Sequence, residues 1–260
     1  MRPPDRLPPR PAGLFGDPVR AGRPVSPDDA ALRMRSMREH WLALQDFLDR
    51  HMHSGWVFRG SPNKDFECKP SAGRISNYDP LFEEHLFRTF KREARLHLSM
   101  PEASDWEWLA LGQHFGLPTR LLDWTTNPLV ACYFAVSSQP LGTDAVIHAC
   151  RLGDGFVIDP ARAAGPFELD RVGFLLPTIT APRISSQRGL FSFHPRPHEA
   201  WSPPGLAEHS FVIPGELRGR FRRKLFSLGV DEAHIYADLQ GVCLSLSWQY
   251  RERHGLGAVT

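Results

Sequence analysis

Between residues 104 and 137 the chain carries two helix starts and one helix stop, and these dictate local structure more tightly than any other stretch. Ser104 followed by Glu107 is a capping box: the hydroxyl accepts from the third N–H of the helix while the carboxylate reaches back to the cap. Trp108, Leu111 and Phe115 carry that helix onward, and Gly116 with Pro118 ends it. Asn127-Pro128 opens the next helix, because Asn caps well and Pro at the first position forfeits no hydrogen bond. Its body, Leu129–Ser137, is apolar enough to be buried. In the joining segment Thr119, Arg120, Asp123, Thr125 and Thr126 alternate with Leu and Trp, and Gln113 and His114 stand just before it. Polar groups this dense among apolar ones imply a buried hydrogen-bond network or the wall of a pocket.

Further elements follow from periodicity. Ser26, Pro27 and Asp29 start a helix whose Leu32, Met37, Trp41, Leu44 and Leu48 recur at helical spacing to about His51. Trp56, Val57 and Phe58 between two glycines predict a short buried strand with Arg59 at its C-terminal end. Phe82, Leu86, Phe90, Ala94 and Leu98 predict a helix over 80–99, and 144–152 reads as a strand. From 153 to 182 glycines and prolines break the pattern. Residues 184–194 and 210–213 are further strand candidates, 216–228 is a basic helix closed by Gly229, and an apolar segment runs from Asp238 to about Tyr250. Strands and helices interleave irregularly, so the expected class is α+β: a single domain over 26–255, with a small mixed or antiparallel sheet and flanking helices. Residues 1–25, with seven prolines and several arginines, read as a disordered lead.

A chain of 260 residues needs no disulfide or metal to bury a core. Its net charge of +2 predicts no long-range attraction to nucleic acid or anionic membrane. No stretch approaches the ~18–20 apolar residues of a membrane span. Cys68, Cys132, Cys150 and Cys243 form no C-x-x-C pair, which suggests a reduced, cytoplasmic setting. The histidines form no metal pattern, so no metal ligand is assigned. Walker A, G-x-G-x-x-G and G-x-S-x-G motifs are all missing from the sequence.

Four sites merit functional attention. Arg59 in a buried strand needs a partner: an internal carboxylate such as Asp123, or a ligand phosphate or carboxylate held by its five-donor fork. Gly60 beside it would let that ligand approach the backbone. The segment from Gln113 and His114 through Arg120, Asp123 and Thr125 to Asn127 is a candidate binding wall, with the helix start at Pro128 offering N–H groups to an anion. Gln187, before Arg188-Gly189 in a strand-like setting, can read an amide or a ribose hydroxyl. Asp238 reads first as a helix cap. His114 with Asp123 would suit general acid–base work if the two meet.

Phe58-Arg59-Gly60, the run from Gln113 through Asp123-Trp124-Thr125 to Tyr133-Phe134-Ala135, and Gln187-x-Gly189-x-Phe191 together resemble the FRG domain family over roughly 54–241. His114-Phe115 stands where the family usually has His-Tyr, and Tyr236-Ala237-Asp238 where it has Phe-Pro-Asp. The order of these motifs is more remotely similar to ADP-ribosyltransferases of the Arg–Ser–Glu type. That resemblance implies a related sheet arrangement and NAD as substrate, with no tightly bound cofactor. Arg59 would then grip the phosphates, Thr125 would support the nicotinamide pocket, and Gln187 would steady the ribosyl cation. Such a protein transfers ADP-ribose to a protein or nucleic-acid acceptor, or hydrolyses NAD, as a bacterial toxin or antiphage effector. The alternative is a non-catalytic nucleotide- or nucleic-acid-binding module, for which the basic helix Arg218–Lys224 speaks.

Overall fold

The computed structural model describes residues 27–98, 103–153, 156–177, 186–203 and 205–254. The proline-rich lead, Ser26 and residues 184–185 lie outside them. The first helix, α1, is Pro27–His51. It is followed by β1 (Trp56–Ser61), α2 (Pro80–Ala94), α3 (Asp105–His114), β2 (Leu121–Thr125), α4 (Pro128–Ser137) and β3 (Ala145–Arg151). Then come β4 (Val157–Ile158), β5 (Gly173–Leu175), β6 (Gly189–Phe193), β7 (Ser210–Ile213), α5 (Arg218–Ser227), α6 (Glu232–Tyr236) and α7 (Leu239–Glu252). The strands make one sheet in the order β4-β5-β6-β2-β1-β3-β7. Every neighbouring pair is antiparallel except β4 with β5, so the fold is α+β on a mixed sheet.

The cap signals act as their chemistry dictates. Ser104 and Glu107 close both halves of the capping box on α3. The Asn127 side chain accepts from Leu129 N–H at 3.0 Å, and that of Asp238 from Gly241 N–H at 2.6 Å. Helix α2 is capped by Asp79 and stops at Ala94, short of the expected residue 99.

Alternation along the strands divides the core. One sheet face carries Phe58, Ala145, Ile147, Ala149 and Ile213, packed beneath α1, α4 and α5. Further along the same face Leu121, Phe191, Phe193 and Leu175 pack beneath α2 and α3. The other face carries Val57, Trp124, Cys150, Phe174 and Leu190 under Trp201. Two helical clusters thus share one face and leave a gap between α3 and α4.

Two expectations are corrected, and three strands are added. Arg59 is not at a strand tip: β1 pairs with β3 along its whole length, from Trp56 opposite Arg151 to Ser61 opposite Val146. Gln187 is not on a strand either, since β6 begins only at Gly189, after Arg188 with φ of 47°. The joining segment 121–125, which reads as a pocket wall, is also a strand, and 157–158 and 173–175 add two short ones.

Candidate functional site

Strands β1 and β2 share a single register pair, Phe58 opposite Thr125. Beyond it β1 stays with β3 while β2 stays with β6, so the sheet splits. Arg59 is the side chain at the split. Its Nη1 donates to the main-chain carbonyl of Asp123 at 2.8 Å. The Asp123 carboxylate instead accepts from Gln113 Nε2 at 3.1 Å, and Gln113 Oε1 accepts from Thr119 Oγ1 at 2.6 Å. No carboxylate lies within 4.0 Å of the Arg59 guanidinium among the described residues. Part of Arg59 is open to the surface, yet its charge sits deep. Desolvation pulls its pKa down and the more distant Asp123 charge opposes that shift.

Two clefts meet at this guanidinium, both lined by Arg59 and Pro62. The smaller, about 320 Å³, occupies the gap between α3 and α4 and is lined by Gly60, Gln113, His114, Asp123, Thr125 and Gln187 together with Phe134 and Phe191. The larger, about 1150 Å³, lies on the face of Arg59 and His148, under the loop that follows β1. Thr125 Oγ1 donates to the Gln187 carbonyl at 2.6 Å and accepts from Asn127 N–H at 2.9 Å, which ties the turn before β6 to the end of β2. The Gln187 amide donates to the Ile235 carbonyl at 3.0 Å, so its nitrogen is committed to α6.

Residues proposed from the sequence therefore separate into two groups. Arg59, Gly60, Gln113, His114, Asp123, Thr125 and Gln187 converge on the small cleft. Arg120 and Asn127 do not line it. Arg120 is buried and grips Glu83 through two bonds, Nε to Oε1 at 3.0 Å and Nη2 to Oε2 at 2.7 Å. Its third nitrogen donates to the Pro166 carbonyl at 3.0 Å, and Phe167 stacks 4.4 Å from the guanidinium carbon. Asn127 is occupied in capping: Leu129 N–H bonds its side chain, and Val130 and Ala131 N–H groups bond its carbonyl. The first-turn donors of α4 are thus already satisfied, which leaves the helix start no anion to hold.

Gly60 also has a different reason from the expected one. A Cβ built there would stand 1.9 Å from the Ala131 carbonyl oxygen. The glycine lets α4 press onto β1, and the close approach is between protein backbones.

The lip of both clefts is fixed by Arg218, which the sequence placed on a basic face. It is buried, and Nη1 donates to the carbonyls of Pro62 (3.1 Å) and Thr143 (3.2 Å), while Nη2 donates to that of Ser138 (2.6 Å). Behind Arg59 stand His148, whose Nδ1 is 2.8 Å from Ser210 Oγ, and His194, whose Nε2 is 2.8 Å from Ser192 Oγ. Burial, helped by the Arg59 charge, pushes each imidazole down to about 4. A histidine inside the apolar run Ala145–Cys150 was the one sequence sign of this second polar layer.

The fold is thus an α+β domain whose sheet splits at an arginine, with polar side chains lining a cleft on either side. Residues 54–142, which hold Arg59 and the small-cleft residues up to Ser138, match the family model of the FRG domain. No curated protein and no solved structure matches the chain. Among the described residues no helix is long and apolar enough to cross a membrane.

Proposed function

We propose that this FRG domain binds a nucleotide through its phosphate at Arg59 and cleaves the glycosidic bond of NAD in the small cleft. The observation that carries the reading is the Arg59 fork: a desolvated guanidinium at the junction of two clefts, with a carbonyl but, among the described residues, no carboxylate against it. Such a charge favours an incoming anion more strongly than a solvated one does. The small cleft suits a ribosyl–nicotinamide end, with Phe134 and Phe191 for the ring and Thr125 and Gln113 for polar edges. In the reaction the bond between the anomeric carbon and the pyridinium nitrogen breaks, and its electron pair leaves with neutral nicotinamide. Water, or a nucleophilic acceptor, adds to the ribosyl cation and gives up a proton. Among the described residues, the carboxylate lining this cleft that could stabilise that cation and take the proton is Asp123.

The nucleic-acid reading draws less support. On the basic helix α5, Arg218 is buried, Arg222 pairs with Glu232, Arg223 pairs with Glu252 at 2.7 Å, and Lys224 lies over the Trp41 ring at 4.6 Å. Four of its five basic side chains are thus engaged within the fold. Nicotinamide release from NAD tests the proposal, with Arg59→Ala and Asp123→Asn compared at equal folded content. Release that both variants lose supports it; no release by folded wild-type protein, with or without cell lysate, removes the catalytic reading.

A further inference from the structure

The large cleft is walled by the eighteen residues 62–79 between β1 and α2. Apart from the 3₁₀ turn Ala72–Arg74 the connection is irregular, and one that long in a compact domain usually serves a site. This one is held in place. Ala72 N–H donates to the Thr119 carbonyl at 3.1 Å, Thr119 N–H donates to Ser71 Oγ at 3.1 Å, and Trp201 N–H donates to the Cys68 carbonyl at 3.1 Å. At Gly73 the loop lies so close to its neighbour that a Cβ would stand 1.6 Å from the Pro197 carbonyl oxygen. The fixed loop presents Arg74, whose Nε donates to the Lys69 carbonyl at 2.8 Å.

Charge in this cleft is unevenly matched. Lys69 is neutralised by Glu67 at 3.0 Å, and Asp65 is exposed at the rim. Arg59 and Arg74 both line the cleft, and neither has an ion-pair partner among the described residues. The two charges also feel each other: after desolvation, which dominates, Arg74 lowers the Arg59 pKa further. Two guanidiniums lining one cleft repel each other when it is empty and are relieved when an anion bridges them.

We propose that Arg59 and Arg74 together form a diphosphate-binding site in the large cleft, so that the ligand carries two linked phosphates. This rests on the reading of Arg59 as the phosphate clamp, and adds that Arg74 holds the second phosphate. The ligand then spans the split sheet. Its diphosphate lies at Arg59, one end enters the small cleft, and the other runs under the 62–79 loop beside the Tyr78 ring, stacked 5.4 Å from His198.

The test is calorimetric titration of the full chain with inorganic pyrophosphate and with orthophosphate in metal-free buffer. Wild type is compared with Arg74→Gln and with Arg220→Gln, a basic residue outside both clefts. Arg74 is exposed, so its substitution spares the core. We expect saturable pyrophosphate binding, weakened about ten- to hundredfold by Arg74→Gln and unchanged by Arg220→Gln. Orthophosphate binding should be weaker and nearly independent of Arg74. Equal pyrophosphate affinity in wild type and Arg74→Gln, or no saturable pyrophosphate binding, overturns the inference. NAD is then added as competitor. Pyrophosphate that binds through Arg74 but is not displaced by NAD leaves the diphosphate site standing and removes NAD as its ligand.

Discussion

Arg59 donates to the main-chain carbonyl of Asp123 at 2.8 Å, while the carboxylate of Asp123 faces Gln113. The arginine therefore reaches the aspartate's backbone, and among the described residues no carboxylate lies within ion-pair distance of its charge. Substituting Arg59→Met removes one hydrogen bond and relieves a desolvated charge, two effects of opposite sign. Unfolding free energy by urea titration should stay within about 1 kcal/mol of wild type, while binding of phosphate-bearing ligands is lost. A large loss of stability in Arg59→Met would assign the residue to the fold.

Arg120 should behave in the opposite way. It and Glu83 are 5% and 7% exposed as side chains and joined by two bonds. Removing one partner strands a buried charge, so Glu83→Gln and Arg120→Met should each destabilise by about 3–5 kcal/mol. The double variant, with no charge left to strand, should recover part of that loss.

At Gly60 the prediction is steric. An alanine would place its Cβ 1.9 Å from a carbonyl oxygen of α4, and backbone on both sides resists the shift. Gly60→Ala should lose roughly 3 kcal/mol or more, or fail to fold, as judged by thermal melting. Wild-type stability in that variant would mean that α4 does not press on β1 as described.

Stability should fall in mild acid. His148 and His194 are held down to about 4, against 6.5 in the unfolded chain. Between those values the unfolded chain binds more protons, so stability drops as pH falls through 6.5 and levels off below about 4. Each ring contributes about 1.4 kcal/mol per pH unit inside the window. From pH 7.5 to 5.5 the two together should remove roughly 2–3 kcal/mol, and burial of His51 acts in the same direction. Urea titrations of wild type and His194→Gln at both values measure it, the variant having the shallower slope.

What could be read from the sequence was local chemistry. The caps at Ser104, Asn127 and Asp238 involve bonds within three residues, so composition alone reveals them. The wall of Gln113, Asp123 and Thr125 was legible from polar residues set among apolar ones, and Arg59 from its need of a partner, whereas Gln187 joined them only through the family resemblance. Long-range pairing was not legible. Nothing marks Glu83 rather than its neighbour Glu84 as the partner of Arg120, thirty-seven residues away. Strand β2 was hidden because Asp123 and Thr125 put polar groups on its cleft face, and β4 and β5 are too short to show a period. Arg74 stands in an aperiodic loop, and only the docking of that loop brings it to the cleft of Arg59.

The central claim is that Arg59 holds the phosphate of a nucleotide at the split in the sheet. Calorimetric titration of wild type and Arg59→Met with NAD and with its product ADP-ribose tests this most directly. The account predicts saturable binding by wild type and its loss in an Arg59→Met protein that melts at the wild-type temperature to within a few degrees. Equal binding by both proteins, or none by folded wild type, would contradict it.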